Sequence, residues 1–326
     1  MDIFYFAMRK NYGIILSVLI IITSYYFIVY KIVNFENLQD FSFSLTDLSI
    51  KSLSSIIIVF LMMFLNWSIE AFKWKLLIEN VQPLPFIGAI KAVFAGITVG
   101  IFTPNRIGDI GGRVSFLPKG KRTFGVLVTG IGSFAQLITT LSAGIIGLAV
   151  FIYLLPETKQ HNNLFNVFTV ALLITLFLIL LWSYFNFSKI KSILLKIPFF
   201  KKRHEQLDYF SNTPKQKLFK VFLLSLLRYC VFSSQFYLLL ILFNIPLTPV
   251  IAYTCISLIY LFTSIIPKTT LAELGIRGSL SIFFIGMFAE NVLGIVVASI
   301  SLWIINLAVP AIFGSYFLFR NTFWNK

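Results

Sequence analysis

Six apolar runs, at about 12–32, 53–78, 124–155, 164–185, 217–243 and 292–320, are each long enough to cross a bilayer. A membrane helix needs about 20 mostly apolar residues. So many runs of that length cannot share one water-enclosed core. Composition agrees: 58% of residues are apolar and 12% are charged, against about 45–50% and 25% in soluble domains. A soluble enzyme, a disordered chain and a nucleic-acid-binding domain are set aside on that ground. The first run follows Arg9 and Lys10 and so looks briefly like a secretory signal. It is too long, and Ser24-Tyr25-Tyr26 is no small-residue cleavage site. It reads as a retained first membrane helix.

Two further apolar runs, 86–103 and 250–266, are shorter. The first breaks at Pro104 and goes on through Arg106, Asp109 and Arg113. The second breaks at Pro267 and goes on through Lys268, Glu273 and Arg277 into the apolar stretch 278–289. The formal charge of +15 decides how these pieces sit. Cytoplasmic loops carry an excess of Lys and Arg. If 86–103 crossed fully, the cluster at Lys119, Lys121 and Arg122 and the very basic loop 188–217 would lie outside. If instead 86–118 enters and returns from the cytoplasm, and 250–290 does so from the outside, 18 of the 27 bases are cytoplasmic and 3 external. The expected fold is therefore an all-α polytopic membrane protein with about six membrane-spanning helices and two re-entrant broken-helix hairpins. Both termini are expected in the cytoplasm of a bacterial cell, whose cytoplasmic membrane the chain would occupy.

The two broken segments share a pattern. Asp109-Ile110-Gly111-Gly112-Arg113 and Glu273-Leu274-Gly275-Ile276-Arg277 both read acid, aliphatic, Gly, any, Arg, at an offset of 164 residues. The same offset aligns Asn80 with Asn244 and Pro85 with Pro249 without a gap. The single membrane domain 1–326 thus reads as two halves, 1–160 and 161–326. Three crossings per half would insert the second half upside down, giving an inverted repeat of the kind common in transporters.

Charges at membrane depth cost roughly 2.5–3.5 kcal/mol each on insertion scales. Arg106, Asp109, Arg113, Lys268, Glu273 and Arg277 must therefore be paired, hydrated or functional. Asp109 and Arg113, and Glu273 and Arg277, are spaced i, i+4 and can pair locally. Local pairs that staple the hairpin tips are one reading. A polar cavity for an anionic group is the other, and four bases against two acids favour it, since the surplus needs a partner. Arginine's planar fork suits a phosphate. Gly108, Gly111 and Gly112 would let the backbone approach a ligand, and helix starts after Pro104 and Pro267 would add partial positive charge. Glu70 lies on one helix side with Asn66 and Lys73 and would be a counter-charge to a basic site residue. Lys73 would snorkel to the cytoplasmic face. Arg228 is a further candidate for the cavity, and Gln136 reads as an interhelical hydrogen bond. Cys230 and Cys255 read as buried packing. His161 and His204 stand apart, and no P-loop, dinucleotide fingerprint or HExxH occurs, so no cofactor, metal or catalytic residue is assigned.

These residues resemble the lysylphosphatidylglycerol synthase transmembrane region, the flippase-type domain of multiple peptide resistance factors and of many stand-alone proteins. The likeness rests on Asn66-Trp67…Glu70-Ala71…Trp74, on Pro104…Arg106-Ile107-Gly108-Asp109…Arg113 and on Glu273…Gly275-Ile276-Arg277. The family usually has Gly and Glu where this chain has Asn105 and Asp109, and its second turn differs from Pro267-Lys268-Thr269-Thr270. The resemblance implies lipid translocation without the synthase's aminoacyl transfer. The expected function is movement of an anionic or modified lipid headgroup, phospholipid or glycolipid, bound by Arg106, Asp109, Arg113, Lys268, Glu273, Arg277 and Glu70. Expected partners are membrane lipids with anionic headgroups, a second copy of the chain or a separate lipid synthase, and no nucleic acid. The rivals are a membrane-embedded lipid transferase and an accessory subunit of a lipid-modifying synthase.

Overall fold

The computed structural model describes residues 50–154, 163–186, 211–266 and 269–323, with most of 22–33 and scattered positions from 189 to 208. Among the described residues the chain is helical and contains no strand. The helices are α1 (Ile50–Ile78), α2 (Phe86–Ile101), α3 (Gly108–Val114), α4 (Arg122–Leu154) and α5 (Asn163–Phe185), followed by α6 (Lys215–Leu242), α7 (Pro249–Ile265), α8 (Thr270–Ile285), α9 (Val292–Trp303) and α10 (Val309–Phe323). A π turn, Ile304–Ala308, joins α9 to α10 as one long span. Among the described residues, five helices are long and apolar enough to cross a membrane: α1, α4, α5, α6 and the joined α9–α10. The expected first span falls largely outside the described residues, but Phe27 and Ile28 pack against the core around α7 and α8. Helix α5 is the peripheral one, with Val167, Phe168, Leu172, Leu178 and Ile179 exposed. Such an apolar surface is a face for lipid.

Two hydrogen bonds show that the short helices return to the side they enter from. Lys121, just before α4, donates to Gln82 in the loop before α2 at 2.8 Å. Asn291, just before α9, donates to the Phe243 carbonyl in the loop before α7 at 3.2 Å. The chain therefore runs α2–α3 and α7–α8 as hairpins, each closed at its own base. Their bases lie at opposite ends of the molecule. Glu79, beside the first base, pairs with Lys217 at the start of α6 (3.3 Å), whereas the second base follows the end of α6. Seven residues of α3 rise only about 10 Å, so this helix cannot cross on its own.

Helices α1 and α6 pack together at the centre. Each hairpin leans on the long helix of the other half of the chain, α2 on α10 and α7 on α4. Glycines permit that approach. A Cβ on Gly314 would lie 2.0 Å from the Phe94 carbonyl, and one on Gly147 would lie 1.8 Å from Ser257 Oγ. Polar side chains join the elements: Thr98 donates to the Ala311 carbonyl (2.8 Å), Trp74 to Thr129 (3.0 Å) and Gln235 to the Val59 carbonyl (2.8 Å). Cys255 is buried as expected, but Cys230 is exposed on α6, because its face of that helix is left uncovered.

Gln235 also accepts from Asn306 at 2.9 Å, so it ties α1, α6 and the π turn together. Gln235→Leu keeps the bulk and removes both bonds. It is expected to cost about 1–2 kcal/mol, read as a lower midpoint on denaturant titration in mixed micelles.

Candidate functional site

The two apolar cores, one around α1, α2 and α4 and the other around α6, α7, α8 and α9, meet at a polar seam. Glu70 is its centre. This residue is 5% exposed, and three bases converge on it. Lys73 Nζ lies 2.7 Å from Oε2, Arg113 Nη1 donates to Oε1 at 2.8 Å, and Arg228 Nη1 lies 3.5 Å from Oε2. Arg113 turns its other edge to Asp109, with Nε to Oδ1 at 3.0 Å and Nη2 to Oδ2 at 2.8 Å. Its fork is thus fully occupied by protein carboxylates. Charges largely removed from water are held by each other.

Arg228 lies 13 residues after Lys215 and 14 before Leu242, about 20 Å from either end of α6. It donates to Gln136 at 3.2 Å, and its guanidinium sits 4.9 Å above the Trp67 ring. Trp67 in turn donates its indole N–H to the Asn306 carbonyl at 3.1 Å. That carbonyl belongs to the π turn, where the wider helix frees backbone groups for other partners. Arg277 on α8 donates to Glu273 at 3.0 Å and lies over Phe232 and Tyr260 at 5.6 and 5.8 Å.

Two adjoining cavities open between these groups, of about 460 and 320 Å³. The larger is walled by Glu70, Asp109 and Arg113, and the smaller by Glu273 and Arg277. Trp67, Arg106, Gln136, Thr140, Arg228 and Ser264 belong to both walls. The tip of the first hairpin and the root of α8 therefore face one continuous polar space near half depth. Five bases (Lys73, Arg106, Arg113, Arg228, Arg277) stand against three carboxylates, a formal excess of two positive charges.

Six of the seven residues singled out from sequence, Glu70, Arg106, Asp109, Arg113, Glu273 and Arg277, line this space. Lys268 lies outside the described residues. Both i, i+4 ion pairs form. Several details are corrected. Lys73 does not snorkel: it is 1% exposed, because Glu70 and Ser225 (3.4 Å) hold its ammonium inside. Pro104 does not begin a helix that points at the site. It opens a single 3₁₀ turn, and Asn105 and Arg106 at φ 49° and 56° break the backbone before α3. Gly108 and Gly112 serve helix contact rather than a ligand, since a Cβ there would meet Val99 O at 2.5 Å and Ala95 O at 2.4 Å. The start of α8 is capped by Thr269, whose hydroxyl accepts from the Ala272 amide. Gln136 makes the interhelical bond expected of it, to the Ser225 carbonyl at 3.3 Å. Sequence reasoning did not anticipate Trp67, Asn306 or Tyr260 in the wall. Asn306 carried a signal, a lone amide inside a strongly apolar run.

Over residues 14–314 the sequence matches the family described as "Lysylphosphatidylglycerol synthase TM region". No curated protein shows a significant match to the chain.

Proposed function

The chain belongs to the lysylphosphatidylglycerol synthase TM region family, and from that premise we propose that it carries an anionic lipid headgroup across the membrane. One observation supports this reading above the others. Three arginines from three elements, Arg106, Arg228 and Arg277, line a shared polar space near half depth, with more positive charge than the resident carboxylates balance. A phosphate would supply the missing charge and accept from several guanidinium N–H groups. The acyl chains would stay in the bilayer beside the exposed apolar faces. In this reading the two hairpins are the equivalent gates of an inverted repeat. Support for that equivalence comes from helix ends at the same offset: Ile78 and Leu242, and Ile101 and Ile265, are each 164 residues apart. Asp109 and Glu273 orient arginines, and their engagement by Arg113 and Arg277 disfavours the transferase reading, in which one of them would act as a general base.

The test is reconstitution with fluorescent lipids and bleaching of the outer leaflet. Wild type is expected to exchange an anionic lipid, and Arg228→Ala to lower that rate at least tenfold while keeping the protein monodisperse. Exchange no faster than in empty liposomes, for every anionic lipid tried, would sink the proposal.

A further inference from the structure

Buried polar atoms are almost always hydrogen-bonded, and each exception asks for a partner. Among the described residues, five of the exceptions belong to residues around one space. Asn66 Oδ1, Asn306 Oδ1, Trp303 Nε1, Arg228 Nε and Arg277 Nε are all buried and without a hydrogen-bond partner among the described residues. All five residues wall the smaller, 320 Å³ cavity. Asn66 and Asn306 are 1% and 2% exposed, so their amide oxygens are fixed parts of the interior. Two acceptors and three donors thus belong to side chains around a space whose remaining wall includes the rings of Tyr229, Phe232 and Tyr260.

A bare phosphate uses donors only and leaves the two amide oxygens idle. A cationic headgroup needs a carboxylate, and every carboxylate of the site already carries a resident base: Glu70 holds Lys73 and Arg113, Asp109 holds Arg113, and Glu273 holds Arg277. Hydroxyl groups both donate and accept, and ring C–H faces pack on aromatic walls. The volume is at the low end of small-molecule sites, about 300–1,000 Å³, which admits a ring but not acyl chains. Building on the lipid-carrier reading, we propose that the small cavity binds a hydroxylated ring joined to a phosphate, that is, a sugar-phosphate headgroup. The hydroxyls bond Asn66, Asn306 and Trp303, and the phosphate lies toward Arg228 and Arg277.

The experiment measures binding to the purified full chain by calorimetry, with glucose 1-phosphate, glucose, glycerol 3-phosphate, inorganic phosphate and lysine methyl ester as probes. A parallel arm embeds a polyprenyl phosphohexose in nanodiscs. Glucose 1-phosphate is expected to bind at least tenfold tighter than glycerol 3-phosphate or phosphate, and lysine methyl ester not at all. Arg277→Gln is expected to abolish binding. Trp303→Phe keeps the ring and loses the N–H, and is expected to weaken glucose 1-phosphate about fivefold while leaving phosphate unchanged. Tighter binding in the nanodisc arm assigns the ligand to a lipid, and equal binding in both arms supports the same chemistry from a soluble sugar phosphate. Equal affinity for glycerol 3-phosphate, binding of the lysine ester, or no binding in either arm overturns the proposal. Sugar-phosphate binding without lipid exchange would count against the transport reading alone. Exchange of phosphatidylglycerol without sugar-phosphate binding would count against this one alone.

Discussion

Replacing Glu70 with alanine is expected to destabilise the protein by about 3–5 kcal/mol, the cost of leaving a buried charge uncompensated. The magnitude follows from the number of charges stranded. Lys73, Arg113 and Arg228 all turn to this one carboxylate, and Lys73 and Arg113 are 1% and 4% exposed. Arg113 would keep Asp109, and Lys73 would keep only Ser225. Denaturant titration in mixed micelles measures the loss. The double variant Glu70→Leu with Lys73→Met removes one acid and one base together. It is expected to recover a good part of the stability, because hydrophobic replacement of a buried pair is often neutral. Equal damage in the single and double variants would show that Glu70 acts by some other route than holding Lys73.

Adjacent glycines at 111 and 112 are expected to respond oppositely to the same change. On α3, Gly112 faces α2. A Cβ there would sit 2.4 Å from the Ala95 carbonyl and 2.6 Å from Gly96 Cα, so the two backbones must separate. Moving them displaces Arg113, the next residue, from Glu70 and Asp109. Gly112→Ala is therefore expected to cost several kcal/mol, more than ordinary overpacking at about 1–3, since backbone rather than a flexible side chain must yield. Gly111 is exposed and a Cβ there meets nothing within 4 Å. Gly111→Ala is expected to be neutral or to gain about 0.4–1 kcal/mol from reduced freedom of the unfolded chain. Thermal unfolding of the two variants side by side reads the contrast. If Gly111→Ala proved the more damaging, the close packing of α2 on α3 would be wrong.

How much of this was legible in the sequence depended on whether the signal was local. Apolar run length located the spans from residue 53 onward. The Pro104 break and the charge count together indicated that 86–118 returns to its starting side, and the Lys121–Gln82 bond shows it doing so. Asp109–Arg113 and Glu273–Arg277 pair because i, i+4 spacing makes them neighbours whatever surrounds them. Lys73 was misread because a lysine a turn and a half from a helix end ordinarily reaches water, and only the tertiary position of Ser225 keeps it inside. The engagement of Arg113 by Glu70, 43 residues away, was not legible for the same reason, since only the fold brings that carboxylate to the guanidinium. Trp303 and Asn306 are neighbours on one span, but their meeting with Asn66 on α1 joins segments about 240 residues apart, which no local spacing announces.

The π turn at Ile304–Ala308 has a consequence for the seating of the first hairpin. One extra residue in a helix advances everything downstream by about 100° of phase. Upstream, Gly294 and Ala298 are buried on α9; downstream, Gly314 and the Ala311 carbonyl touch α2 through Phe94 and Thr98. In an unbroken α-helix of the same sequence, those two docking faces would be out of phase by roughly a quarter turn or more, and one partner would lose its seat. The span thus acts as an indexing joint: a single-residue deletion that closes the π turn would leave both faces in register, whereas the same deletion in α10 ahead of Gly314, with the π turn intact, would rotate Gly314 by about 100° away from the hairpin it was placed to meet.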